Sequence, residues 1–237
     1  MLTEPIEVDL WLWPLDGSAT PKAQLSLEEE SRALRFVRPT DAQAYRAAHE
    51  RMRAILMIYT GAAPDFRVND HGKPWLLGGP SFNLSHSGGW AALAICREEI
   101  RLGVDIEALR PVERSLPDQF FAPAECATLA ALQGVNWQRA FFRCWSRKEA
   151  FVKASGEGLS LPPSSFDVTV AEESPPALTR LEKGRVADWT LADLTLDDIP
   201  PERSFAGALA IEARGCPLVV RARGGRHAPP AIEAGPV

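Results

Sequence analysis

Arg101-Leu102-Gly103-Val104-Asp105-Ile106-Glu107 alternates apolar with polar or small residues, the period of a strand with two unlike faces. Leu102, Val104 and Ile106 fall on one face, and Gly103, Asp105 and Glu107 on the other. Two carboxylates then project side by side, beside a glycine expected to leave room above the sheet. Like charges so placed need a cation or a shared proton unless water surrounds them. Hard carboxylate oxygens completed by phosphates and water are the usual Mg²⁺ arrangement. The polar face of an edge strand would explain the same pattern.

Downstream of Pro111, Phe120-Phe121-Ala-Pro-Ala-Glu125 leads into a short helix with Pro123 in its first turn, which Gly134 is expected to close. From Asn136 a second helix turns Trp137, Phe141, Cys144, Trp145, Phe151 and Val152 toward a core and ends at Ser155-Gly156. Glu149 and Lys153 stand one turn apart on it, in the favourable i,i+4 order. Alone they read most economically as a surface ion pair worth about 0.2–0.5 kcal/mol. Gly156-Glu-Gly-Leu-Ser-Leu-Pro-Pro163 lacks the preceding strand of a dinucleotide fingerprint and reads as a shaped loop. Phe166–Val170, Asp188–Leu194 and Phe205–Ile211 alternate as strands, Leu218–Val220 is a short apolar run, and an unstructured tail is expected from about Arg221.

Upstream, Ile6–Leu12 predicts a strand and Ser26-Leu-Glu-Glu29 a capping box, opening a helix that stops before Pro39. A longer helix from about Asp41 to Tyr59 carries Tyr45, Met52, Ile55, Leu56 and Tyr59 on one stripe. Arg46 and Arg53 share another face, which reads as solvated. Asp70-His-Gly-Lys-Pro-Trp75 is a turn that fixes the direction of Lys73 through the X-Pro step. Ser81–Leu84 and Trp90–Cys96 predict two strands. Between them, Ser85-His-Ser-Gly-Gly89 fits either an anion-holding concavity with His86 as donor or an ordinary hairpin turn.

At 237 residues, 46% hydrophobic and 24% charged, the chain has the composition of a soluble globular protein. No apolar run reaches membrane-spanning length, and the acidic start differs from a signal peptide. A cytoplasmic protein with no membrane partner is the expectation. A net charge of −5 argues against general nucleic-acid binding. Cys96, Cys126, Cys144 and Cys216 lack metal or redox spacing and read as free thiols.

Taken together, Asn83-Leu-Ser-His-Ser-Gly88, Gly103-Val-Asp-Ile-Glu107, Phe120-Phe with Glu125, and Trp145-Ser-Arg-Lys-Glu-Ala-Phe-Val-Lys153 resemble the signature set of the 4′-phosphopantetheinyl transferases. The His71-Gly-Lys-Pro74 turn, Gly158-Leu-Ser-Leu-Pro and the chain length make the resemblance one to the larger, monomeric surfactin-synthetase (Sfp) type. It implies an α+β fold of two similar α/β halves related by a pseudo-two-fold axis, here residues 1–102 and 103–220, with 221–237 a flexible tail. It implies that coenzyme A binds between the halves and gives its phosphopantetheine arm to a serine of an acyl or peptidyl carrier protein, releasing adenosine 3′,5′-bisphosphate. Asp105, Glu107 and Glu149 match the family's ligands for Mg²⁺, with Mn²⁺ as an alternative. Glu149 is also the candidate base, and Lys153 the candidate partner of the diphosphate. His86 matches the contact to the 3′-phosphate; Lys73, Ser85 and Arg53 match other phosphate and nucleotide contacts. The chain departs from its relatives at Glu28-Glu29-Glu30, where basic residues are common. Glu125 matches a family acid that could serve as base, as support for the site or in packing. The expected geometry puts the Glu149 carboxylate within one metal's reach of Asp105 and Glu107.

Overall fold

The computed structural model describes residues 4–223. Strand β1 (Ile6–Pro14) is followed by helices α1 (Leu27–Ala33) and α2 (Pro39–Thr60), then by a small hairpin of β2 (Phe66–Val68) and β3 (Pro74–Leu76). Strands β4 (Ser81–Ser87), β5 (Trp90–Cys96) and β6 (Leu102–Ala108) lead to α3 (Pro117–Phe120), α4 (Pro123–Ala130) and α5 (Gly134–Ser155). The chain closes with β7 (Phe166–Val168), β8 (Leu178–Leu181), β9 (Thr190–Asp193), β10 (Phe205–Ile211) and β11 (Leu218–Arg223).

Two sheets carry the fold, ordered β11-β1-β5-β4 and β6-β10-β9. Ile6, Val8 and Leu10 of β1, with Ala92 and Ala94 of β5, pack against Leu102, Val104 and Ile106 of β6 and against Leu209 and Ile211 of β10. The apolar face predicted for β6 is therefore the core between the sheets. Opposite faces are covered by helices. Met52, Ile55 and Leu56 of α2 bury Trp11, Trp13 and Leu93. Phe141, Cys144, Phe151 and Ala154 of α5 pack on Ala208 and Ala210 of β10. The apolar stripes of α2 and α5 thus do the work their spacing predicted.

Gly103 has a different role from the one expected. A Cβ there would sit 2.1 Å from Ala150 O and 2.4 Å from Ala154 N. The space above the glycine is filled by the backbone of α5, which packs directly on β6. Element ends also differ. Gly134 is the first residue of α5 and does not close α4, whereas α1 ends at Ala33, before Pro39 as expected. Ser85, His86 and Ser87 continue β4, and only Gly88-Gly89 turns, both with positive φ (54° and 81°). This is the hairpin alternative, not a concavity. Arg221–Arg223 belong to β11, which pairs in parallel with β1 from Ile6↔Leu218 to Trp11↔Arg223. The expected tail is therefore ordered through Arg223, and positions 224–237 lie outside the described residues.

Candidate active site

The edges of the two sheets meet at β4 and β6, and side chains replace the missing backbone ladder between them. Asn83 Oδ1 accepts from Val104 N–H at 2.8 Å, Ser85 Oγ from Ile106 N–H at 3.3 Å, and Ser87 Oγ from Ala108 N–H at 3.1 Å. Because β4 has a period of two, these three side chains share one face. Both hydroxyls then donate to the acids of β6, Ser85 to Asp105 Oδ1 and Ser87 to Glu107 Oε2, each at 2.9 Å. The Asn83-Leu-Ser-His-Ser motif is in this respect a seam that aims two carboxylates.

Helix α5 approaches the same acids from above, and Gly103 lets it come close. Lys153 Nζ lies 2.7 Å from Asp105 Oδ1 and donates to Ser85 Oγ (2.9 Å) and Val104 O (3.2 Å). The expected Glu149–Lys153 pair does not form: among the described residues Lys153 pairs with Asp105, and Glu149 makes no hydrogen bond or ion pair. A buried carboxylate draws an ammonium more strongly than a wetter one does. Burial pushes the Asp105 carboxyl up, while Lys153 and Ser85 pull it back. Its second oxygen, Oδ2, is buried without a hydrogen-bond partner. Burial, then the charge of Asp105, raises the pKa of Glu149, with Glu107 adding to the rise and Lys153 opposing it. Glu107 is half-buried and shared with Arg110, whose Nη1 is 3.0 Å away.

Glu149 and Lys153 line a cavity of about 360 Å³ together with His71, Lys73, Asn83 and Leu159. The unpartnered Asp105 oxygen and the three mutually repelling carboxylates suit a hard divalent cation. The expected compact ligand group is not closed, however: among the described residues no three His, Cys, Asp or Glu side chains are spaced to hold a metal. Lys153 supplies the positive charge next to Asp105 instead.

The four residues matched to coenzyme A contacts stand in different surroundings. His86 is partly open to solvent near the seam, and the desolvation of its sheltered side, then the charge of Lys153, lower its pKa. Ser85 is committed to Asp105, Lys153 and the Ile106 amide. Arg53 is not on a solvated face. It is buried, donates to Glu29 Oε2 at 2.9 Å and Pro64 O at 2.9 Å, and stands over the Phe66 ring. Glu29 also meets His49 and the Ser26 amide, so the acid that replaces a basic residue here organises α1 against α2. Lys73 spends its ammonium on Leu102 O, Lys153 O and Ala154 O.

Two supporting residues were not singled out by sequence reasoning. Lys148 pairs with Glu125 at 2.8 Å, both side chains 2% exposed, and donates to Pro163 O and Phe166 O. Glu125 also accepts from the amides of Ala122 and Val168. That network holds Glu125 in the core by one ion pair and two backbone amides. Arg147 forks onto Asp193 and binds Thr169 O. Both lie beside Glu149 in sequence, where a buried cation looks like surface charge until its partners are known.

Residues 101–210 match the family model of the 4′-phosphopantetheinyl transferase superfamily. The chain is 36% identical over 210 residues to 4′-phosphopantetheinyl transferase HetI of Nostoc sp., covering 81% of this chain and 84% of that protein. It is 30% identical to 4′-phosphopantetheinyl transferase Sfp of Bacillus subtilis, covering 63% and 73% respectively. The solved holo-[acyl-carrier-protein] synthase of Thermotoga maritima overlaps 48% of this chain and 63% of its own, at 19% identity and a TM-score of 0.38. The chain belongs to the 4′-phosphopantetheinyl transferases and is an enzyme of the Sfp type.

Proposed function

We propose that the chain transfers the 4′-phosphopantetheine arm of coenzyme A to a serine hydroxyl of an acyl or peptidyl carrier protein. It does so as a cytoplasmic monomer, in a cleft between halves related by a pseudo-two-fold axis. The observation that carries this reading is the meeting of Asp105, Ser85 and Lys153 beside Glu149, with one buried Asp105 oxygen left unpartnered. Asp105, Glu107 and Glu149 would hold Mg²⁺, for which Mn²⁺ could substitute, by drawing together from the wider spacing they have without it. Bound there, the ion would supply the charge that reconciles three carboxylates with a diphosphate.

The serine oxygen forms a bond to the β-phosphorus, and the bond from that phosphorus to the bridging oxygen breaks. The electron pair departs with adenosine 3′,5′-bisphosphate. Glu149 takes the hydroxyl proton, and its raised pKa makes it a better base near neutrality than an ordinary carboxylate. Lys153, half-buried on Asp105, would exchange its longer contact with Val104 O for the diphosphate oxygens as negative charge moves onto them. His86, on an exposed position of β4, is the contact for the 3′-phosphate. Positioning and charge do most of the work in such a transfer.

The test is intact mass of several apo carrier proteins after incubation with coenzyme A and Mg²⁺, with detection of adenosine 3′,5′-bisphosphate. One added phosphopantetheine per carrier is expected. Coenzyme A binding without any mass gain would identify a binding module that keeps the fold. A nucleoside triphosphate requirement would point to another phosphotransferase.

A further inference from the structure

The last carbonyls of a helix have no partner within it. In α5 they lie directly behind Lys153, and the hairpin of the first half satisfies them. Lys73 Nζ donates to Lys153 O at 2.7 Å, to Leu102 O at 2.9 Å and to Ala154 O at 3.4 Å. Asn69 Nδ2 donates to Gly156 O at 2.9 Å, just beyond the helix end. The same Asn69 side chain accepts from the amides of His71 and Lys73 and so fixes the turn that delivers the lysine.

An ammonium has three N–H donors, and all three of Lys73 are taken by backbone carbonyls. A phosphate would have to displace one of these carbonyls. Its charge instead meets the negative end of a 22-residue helix, a favourable placement. The acceptors also come from two elements. Leu102 O opens β6, next to the glycine where the α5 backbone touches the strand, while the other two close α5. One side chain thus joins helix end and strand start three residues from Asp105 and at the root of Lys153.

We propose that Lys73 is a positioning residue. It clamps the C-terminal turn of α5 to β6 across the two halves, and with Asn69 it sets where the Lys153 ammonium stands. This rests on the transferase reading for its consequence in turnover, but not for the clamp itself. If Lys73 bound a phosphate of coenzyme A, removing its ammonium would raise the KM for coenzyme A. Removing a clamp lets the last turn of α5 fray and Lys153 drift, so kcat should fall while KM holds.

The experiment compares wild type with Lys73→Met and Asn69→Ala by steady-state kinetics in coenzyme A and by amide hydrogen exchange. For Lys73→Met, kcat is expected to fall roughly tenfold to a hundredfold, as drift of about 1 Å would cause, with KM changed less than about threefold. Asn69→Ala should show a smaller loss of the same kind. Exchange at residues 152–156 should quicken in both, while the first turns of α5 stay protected. A KM rise at unchanged kcat, or unaltered exchange at 152–156 in the folded variants, would overturn the proposal. Should Lys73→Met fail to fold, Asn69→Ala decides by the same two readouts. If no carrier is modified even by wild type, the transferase reading fails, and exchange alone still judges the clamp.

Discussion

Replacing Gly103 with alanine adds one methyl group where β6 and α5 touch. Its carbon would sit 2.1 Å from Ala150 O and 2.4 Å from Ala154 N, both backbone atoms of a helix that cannot swing aside as a side chain does. A carbon and a carbonyl oxygen rest at about 3.3 Å, so α5 must retreat by about 1.2 Å. The 2.7 Å contact between Lys153 and Asp105 then opens to about 3.9 Å, beyond hydrogen-bond range. Overpacking of this kind costs about 1–3 kcal/mol. In a chain of this size that lowers Tm by roughly 2–12 °C. The displacement of Lys153 and Glu149 from the acids of β6 should cut the transfer rate about a hundredfold. Thermal unfolding and initial rates of carrier modification measure both effects on one preparation. A Gly103→Ala protein with unchanged Tm and full activity would refute the close approach of α5 to β6.

Four further outcomes follow from the site. Glu149→Gln should abolish transfer while coenzyme A binding, read by calorimetry, largely survives. The same substitution should stabilise the metal-free protein at neutral pH. The folded-state pKa of Glu149 is raised above its ordinary 4.5, so stability falls as pH rises from there through the folded value; the Tm gain of the variant should vanish below about pH 4.5. Mg²⁺ should raise the Tm of wild type more than that of Glu149→Gln, because linkage needs a complete ligand set; equal shifts would remove Glu149 from that set. Lys148→Met should cost about 3–5 kcal/mol in chemical denaturation, since it strands the Glu125 carboxylate in the core, and a loss below about 1 kcal/mol would mean that Glu125 is not charged there.

Local periodicity carried much of the fold. The two faces of β6 and the apolar stripes of α2 and α5 were legible because each depends on spacing within one element. What escaped joins residues far apart. Ser85 and Ser87 read as a turn because a serine bonding an amide 21 residues on leaves no local mark. Parallel pairing of β11 with β1 brings the described chain ends together, and no periodicity within either strand announces it. In the site, what the sequence leaves unmarked is the partner of each side chain. Glu149 and Lys153 are one turn apart, yet the desolvated Asp105 wins the ammonium. Arg53 looked free for phosphate because its partner, Glu29, lies on another helix. Gly103 was noticed for its missing side chain, but the volume so released belongs to α5 and not to a ligand.

Asp105, Glu107, Glu149 and Lys153 are proposed to act together to move a phosphopantetheine arm. Intact mass spectrometry of an apo carrier protein incubated with this chain, coenzyme A and Mg²⁺ tests it most directly. A gain of one phosphopantetheine per carrier is expected with wild type and none with Glu149→Gln. Equal gains from both proteins would contradict the assigned chemistry of the site, and no gain from wild type on any of several carriers would contradict the proposed transfer.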